Sequence, residues 1–88
     1  MNYLKAVFWD YPQFTRPDYL HQYLNDRKGK ETYFWVMRRF LENGRVVDAL
    51  QYFTIEEIAE KLLDLNLTAY TLKKWRRMVE VYGTPHRI

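Results

Sequence analysis

The chain lacks cysteine and serine entirely, and it contains only three glycines and two histidines in 88 residues. Without cysteine, disulfides, thiolate nucleophiles and cysteine metal sites are excluded, and without serine the other common acyl-transfer nucleophile is missing. Gly29, Gly44 and Gly83 each lie where a predicted helix ends, so none of them belongs to a phosphate-binding loop. His21 and His86 are too far apart in sequence to show metal-ligand spacing. We therefore expect no enzyme, metal, cofactor or small-molecule substrate.

Long hydrophobic runs are also missing. No run approaches the roughly 18 to 20 apolar residues that span a bilayer, and no secretion signal is visible. We therefore expect no membrane contact and a cytoplasmic location. Hydrophobic residues nevertheless make up 48% of the chain, which is enough for one core but, at this length, not for two. The sequence thus predicts a single domain over residues 1–88.

The spacing of the apolar residues predicts an all-α protein, a compact bundle of four to five helices. The predicted helices cover residues 17–26, 31–43 and 46–52, then run from Thr54 to a turn at 66–68, and finally from 69 to 82. Residues 1–14 are ambiguous, because their apolar spacing fits both a helix and an extended segment. Residues 84–88 are expected to form a short tail.

Capping residues mark where these helices begin and end. Thr15 is the predicted N-cap of the 17–26 helix, and Gly44 is the predicted stop of the 31–43 helix. Thr54 and Glu57 have the spacing of a capping box, in which each side chain accepts a hydrogen bond from the other residue's backbone amide. Thr68 is the predicted cap of the last helix.

Helical periodicity also predicts which side chains are buried. In the helix that follows Thr54, the buried stripe is Ile55, Ile58, Ala59, Leu62 and Leu65. In the last helix, the inward-facing residues are Leu72, Trp75, Met78, Val79 and Tyr82. The remaining positions of both helices are mostly charged, as expected for solvated faces.

Charge is segregated along the chain. Residues 42–64 contain six acidic residues and two basic ones, whereas residues 68–88 contain five basic residues and one acidic residue. The two helices joined by the turn at 66–68 form a hairpin that resembles a helix-turn-helix, whose second helix enters the DNA major groove. The candidate DNA-contacting residues are Tyr70, Thr71, Lys73, Lys74 and Arg77. The alternative is that they form the solvated face of a core helix, since the connection is about three residues longer than the usual spacing.

Trp35 lies on the opposite side of the 31–43 helix from the predicted core face. That core face consists of Tyr33, Phe34, Val36, Met37, Phe40 and Leu41. Trp35 lies instead among charged residues that include Arg38 and Arg39. Because tryptophan and arginine are enriched at interface hot spots, Trp35 is a candidate partner anchor. The alternative is that the aromatic residues of the N-terminal segment cover it.

Short motifs occur in a recurring order along nearly the whole chain. They are Phe8-Trp9-Asp10, Arg39-Phe40-Leu41-Glu42-Asn43-Gly44, Val47-Asp48, Leu50, Tyr52-Phe53, Glu57-Ile58, Thr71-Leu72 and Gly83-Thr84-Pro85. Together they resemble a family of small, antitoxin-like prokaryotic proteins that are often encoded beside minimal nucleotidyltransferases. The resemblance implies a partner protein, with DNA binding as a second activity, and it supplies no catalytic residue. Among the residues of these motifs, Trp9 and Asp10 are the ones that packing alone explains least well.

We therefore expect a non-catalytic, antitoxin-like binding protein whose partner is a nucleotidyltransferase-type toxin. The candidate partner-binding residues are Trp9, Asp10, Trp35, Arg38 and Arg39. The alternative function is a helix-turn-helix transcriptional regulator that binds DNA, and a third is a purely structural subunit of a larger assembly.

Overall fold

The computed structural model describes residues 3–83, which form six α-helices and one short 3-10 helix, with no strand among them. The α-helices are α1 (Tyr3–Val7), α2 (Pro17–Asp26), α3 (Glu31–Asn43), α4 (Val46–Ala49), α5 (Ile55–Lys61) and α6 (Ala69–Gly83), and the 3-10 helix covers Pro12–Thr15. The all-α prediction is confirmed. None of these helices is long and apolar enough to cross a membrane. The predicted tail at 84–88 lies outside the described residues.

The N-terminal segment begins with a helix rather than an extended strand. α1 ends at Val7, and Tyr11 has a non-helical backbone with φ −135° and ψ 80°. This is expected for a residue that precedes a proline, because the ring of Pro12 disfavours helical geometry at Tyr11. The segment therefore turns back towards the body of the protein at residues 8–11.

α2 has the predicted bounds, but the prediction that Thr15 caps it was wrong. The N-cap is Arg16, which makes no side-chain capping hydrogen bond. Thr15 instead ends the preceding 3-10 helix, and its hydroxyl donates to the carbonyl of Pro12 at 2.6 Å. A threonine hydroxyl often bonds to nearby backbone in this way, and here that local bond replaces the cap.

α3 also has the predicted bounds, and at its C-cap, Gly44, a side chain would be crowded. Gly44 has φ −110°, so it does not need the left-handed conformation. A Cβ atom at this position would lie 3.0 Å from the carbonyl oxygen of Phe40 and 3.1 Å from a methyl group of Val7. The missing side chain therefore allows α1 to pack closely against the end of α3.

α4 and α5 are shorter than predicted. They end at Ala49 and Lys61 rather than near residues 52 and 65, and the connection from α5 to α6 covers residues 62–68. Leu62, the C-cap of α5, and Leu65 are nevertheless buried. Asn66 has φ 56°, a left-handed conformation that asparagine tolerates better than most residues.

The capping box at the start of α5 is confirmed. The backbone amide of Glu57 donates to the Thr54 hydroxyl oxygen at 3.1 Å, and the amide of Thr54 donates to the Glu57 carboxylate at 3.3 Å. The other carboxylate oxygen of Glu57 accepts a hydrogen bond from the hydroxyl of Tyr33. Glu57 therefore caps α5 and joins it to α3.

The core is one cluster to which all six helices contribute. Trp75 of α6 is fully buried, and its indole nitrogen donates to the carbonyl of Leu41 at 3.2 Å.

Two residues predicted to be buried, Ala59 and Tyr82, are exposed. In α5 the packed side is centred on Ile58 and Leu62, which leaves Ala59 at its edge. Tyr82 and its neighbour Val81 point in different directions and are both exposed, so the last turn of α6 extends beyond the core.

Candidate functional site

Arg39 of α3 is the centre of a polar and aromatic cluster near the N-terminus. Its guanidinium donates to the carbonyl of Val7 at 2.7 and 3.2 Å and to the carboxylate of Asp10 at 2.6 and 3.3 Å. Val7 is the last residue of α1, where the helix leaves carbonyl groups without intrahelical partners. One side chain therefore fixes both the end of α1 and the turn that follows it.

Four aromatic rings surround the same guanidinium. The distances from the guanidinium carbon to the ring centres are 4.7 Å for Trp9, 5.4 Å for Phe8, 5.4 Å for Trp35 and 5.7 Å for Tyr11. At these distances the cation is attracted to the electron-rich ring faces. We call Arg39, Asp10 and these four aromatic residues the Arg39 cluster.

Trp9 is the outermost member of the Arg39 cluster. Its side chain is 64% exposed, whereas Phe8, the preceding residue, is fully buried. The amide of Tyr11 donates to the carbonyl of Phe8 at 3.1 Å, which closes the turn that carries Trp9 and Asp10. A cleft of about 310 Å³ adjoins this turn and is lined by Lys5, Phe8, Trp9, Pro12 and Thr15. Trp9 therefore presents a large apolar surface to solvent from a fixed position.

Trp35 forms the floor of the cluster. Its ring packs edge-on against Tyr11 at 5.2 Å and also contacts Phe8 at 6.2 Å and Phe14 at 6.4 Å. Trp35 was predicted to lie away from the α3 core face. The N-terminal segment covers the Trp35 ring on that side of the helix. Of the two alternatives for Trp35, the structure shows intramolecular cover, which leaves the ring half-buried.

Four of the five candidate partner-binding residues thus lie together: Trp9, Asp10, Trp35 and Arg39. Arg38 does not join them. It is next to Arg39 on α3 but points to the other side, where its side chain donates to the carbonyl of Asn66 at 3.5 Å. Arg38 therefore contacts the connection between α5 and α6 instead of the N-terminal turn.

The Asp10 carboxylate remains charged at neutral pH. The hydrogen bonds from Arg39 hold the pKa of Asp10 below its usual value of 3.8 against the opposing effect of burial, and its own backbone and the charge of Arg39 lower the pKa by smaller amounts. The side chain of Asp10 is 43% exposed and that of Arg39 is 13% exposed. The two charges therefore largely offset each other, and the outer surface of the cluster is mainly aromatic.

The candidate DNA-contacting residues of α6 do not all share one surface. Tyr70 is 77% exposed, and Lys73 and Arg77 are also exposed. Lys74 is half-buried, and Thr71 is only 5% exposed. The expectation that Thr71 reaches bases was wrong, because its hydroxyl points inward and donates to the Glu42 carboxylate at 2.8 Å.

Glu42 is a structural residue that the sequence analysis did not identify. Its carboxylate accepts hydrogen bonds from the Thr68 amide at 2.7 Å, the Thr68 hydroxyl at 3.1 Å and the Thr71 hydroxyl at 2.8 Å. Burial raises the pKa of Glu42, but these hydrogen bonds and the nearby charge of Arg38 outweigh it, so the pKa lies below the usual 4.5. Glu42 is 26 positions from Thr68, so no local pattern could have shown that it joins α3 to the start of α6.

A second group of polar side chains lies around Tyr52. His21 stacks on the Tyr52 ring at 4.3 Å, and the hydroxyls of Tyr52 and Tyr3 are 2.9 Å apart. Burial and the hydrogen bond with Tyr3 raise the pKa of Tyr52 above the ordinary tyrosine value. Burial and the hydrogen bond to Glu57 raise the pKa of Tyr33 likewise. Both phenols therefore stay protonated at neutral pH, and neither is activated as a base or nucleophile.

The part of the chain from residue 3 to residue 83 contains no group of three or more histidine, aspartate or glutamate side chains arranged to hold a metal ion. Apart from Arg38 and the buried Thr71, the predicted binding residues lie on two surfaces, the Arg39 cluster and the outer face of α6. No protein-family model, no curated protein and no solved structure matches the chain.

Proposed function

We propose that this chain is a non-catalytic, antitoxin-like binding protein that holds a partner protein through the Arg39 cluster. The main support for the proposal is the exposure of Trp9. Its side chain is 64% exposed, and its ring centre lies 4.7 Å from the guanidinium carbon of Arg39. The partner that the sequence resemblance implies is a nucleotidyltransferase-type toxin encoded beside the gene.

The fixed position of Trp9 favours binding. Arg39 is held by four hydrogen bonds to Val7 and Asp10, and these also fix the turn that carries Trp9. A side chain that is already ordered loses less conformational entropy when it binds than a mobile one does. A tryptophan that becomes buried at the centre of an interface is a frequent hot spot. The cleft beside Trp9 adds apolar surface for the partner to cover.

A Trp9→Ala variant tests the proposal. In co-purification and calorimetric titration with the neighbouring nucleotidyltransferase, we expect the dissociation constant to rise about thirtyfold or more, which corresponds to about 2 kcal/mol. Tyr70→Ala is the matched control, because Tyr70 is an exposed aromatic residue on α6, away from the cluster. It should bind like the parent. Unchanged binding by a folded Trp9→Ala variant, or no binding by the parent, would contradict the proposal.

The alternative function, a helix-turn-helix transcriptional regulator, has less support. A recognition helix needs exposed side chains near its start to reach base edges. Thr71, one of the two residues expected there, is buried and bonded to Glu42. The connection between α5 and α6 also extends over residues 62–68, well beyond a tight turn.

A further inference from the structure

The outer face of α6 carries three exposed cations close together. Lys73, Arg76 and Arg77 are separated by three and four positions, so they lie within about 100° of each other around a helix with 3.6 residues per turn. Their Cα atoms span about 6 Å along the helix axis at 1.5 Å per residue. We call these three residues the cation row. Arg76 was not among the residues that the sequence analysis selected, and its exposure completes the row.

The charges of the cation row are directed to solvent. None of the ion pairs formed within residues 3–83 involves Lys73, Arg76 or Arg77. Glu80 is the acidic residue on the same face of α6, one turn after Arg76, so the face keeps a net positive charge. The opposite face of the helix is fixed in the core by Trp75 and Thr71. The row therefore lies on a well-anchored helix and, with Ala69, Leu72 and Glu80, lines an open groove of about 500 Å³.

We propose that the cation row binds the phosphate backbone of duplex DNA without selecting a base sequence. Lysine and arginine neutralise phosphates and displace condensed counterions, which provides affinity that does not depend on sequence. Base readout by a recognition helix needs side chains near its start that can reach base edges. Thr71 is turned inward, and the first two positions of α6 are Ala69 and Tyr70.

A second copy of the chain would be the competing occupant. Glu56, Glu60 and Asp64 form an exposed acidic group in and just after α5, and a neighbouring molecule could in principle place them on the cation row. Duplex DNA is favoured because it carries one negative charge per about 1.7 Å of its axis, which supplies a phosphate for every member of the row. The acidic side chains of α5 repel DNA, so the duplex should approach α6 from the side away from α5.

The experiment measures binding of the isolated chain to two 20-base-pair duplexes of unrelated sequence as the salt concentration is varied. The test variant is Lys73→Gln/Arg76→Gln/Arg77→Gln. The control variant, Lys5→Gln/Arg16→Gln/Lys30→Gln, removes the same net charge from exposed residues elsewhere. We expect the parent to bind both duplexes within about threefold of each other. The test variant should lower the log–log salt slope by roughly 2 to 3, at about 0.9 per lost phosphate contact, and the control variant should lower it much less.

Four results would overturn the proposal. They are no duplex binding by the parent, a strong preference for one sequence, equal loss of slope in the two triple variants, and binding to single strands but not to duplexes. Sedimentation of the parent and the test variant tests whether a second copy of the chain occupies the cation row instead. If the test variant changes the oligomeric state but not DNA binding, the row is an interface between copies of the chain. None of these results depends on the Arg39 cluster, so this proposal and the proposed function can fail separately.

Discussion

The carboxylate of Asp10 and the guanidinium of Arg39 form a two-point ion pair, with N–O distances of 2.6 and 3.3 Å, although the residues are 29 positions apart in sequence. The same guanidinium donates to the carbonyl of Val7 and lies beneath the ring of Trp9. The pair therefore ties the N-terminal turn to α3. The pair mainly positions the turn, because an ion pair with a partly exposed carboxylate adds little to stability.

Two tryptophan variants should separate the structural part of the Arg39 cluster from its exposed part. Trp35→Ala removes a half-buried ring that contacts Phe8, Tyr11 and Phe14, and we expect it to lower the free energy of unfolding by about 2–3 kcal/mol. Trp9→Ala should lower it by less than about 1 kcal/mol, because mainly a cation–π contact is lost. Urea unfolding followed by circular dichroism measures both. Equal losses would show that Trp9 is also structural.

Thr71 should stabilise the start of α6 through its bond to Glu42. Thr71→Val keeps the shape of the side chain but removes the hydroxyl that donates to the carboxylate at 2.8 Å. We expect the free energy of unfolding to fall by about 1.5–3 kcal/mol, the range for hydrogen bonds to charged groups. Thr32→Val, at an exposed position in the first turn of α3, is the control and should change stability much less. Similar losses in the two variants would mean that the Glu42 bond is not responsible.

Acid should weaken the junction between α3 and α6. Because the pKa of Glu42 lies below its usual 4.5 in the folded chain, the carboxylate stabilises the fold fully above that usual value. This stabilisation is lost as the pH falls through the folded pKa. We expect the parent to lose stability between about pH 5 and pH 3, and Glu42→Gln to show a shallower pH dependence in the same window. Asp10 and Glu57, whose pKa values are also lowered, should account for the rest of the dependence of stability on pH. Urea midpoints across this window test the prediction, and identical slopes would contradict it.

The capping box should matter to stability and not to partner choice. Thr54→Ala removes the oxygen that accepts the Glu57 amide, and we expect a loss of about 0.5–2 kcal/mol in the free energy of unfolding. Thr54→Ser keeps that oxygen and should remain close to the parent. Both variants should bind the partner protein as the parent does, since α5 is not part of the Arg39 cluster. A Thr54→Ala variant as stable as the parent would show that the cap is dispensable.

The sequence predicted several helix boundaries correctly. α2 and α3 have the predicted bounds, and the box of Thr54 and Glu57 marks the start of α5. The predictions for Thr15 and for the end of α5 were wrong. In the first case a bond to Pro12 competed with the cap, and in the second the chain left the helix while its leucines stayed buried.

The amino-acid sequence by itself determined the helical class, the bounds of α2 and α3, the core face of α3 and the absence of the usual nucleophiles. These properties depend on composition and on residues within one or two turns of each other. Only the tertiary structure decided that Trp35 is covered while Trp9 is exposed, that Thr71 turns inward, and that Arg76 completes an outward row. The physical reason is that each outcome depends on a partner distant in sequence. Arg39 holds the N-terminal turn over Trp35, and Glu42 draws Thr71 inward and thereby fixes which face of α6 meets the solvent.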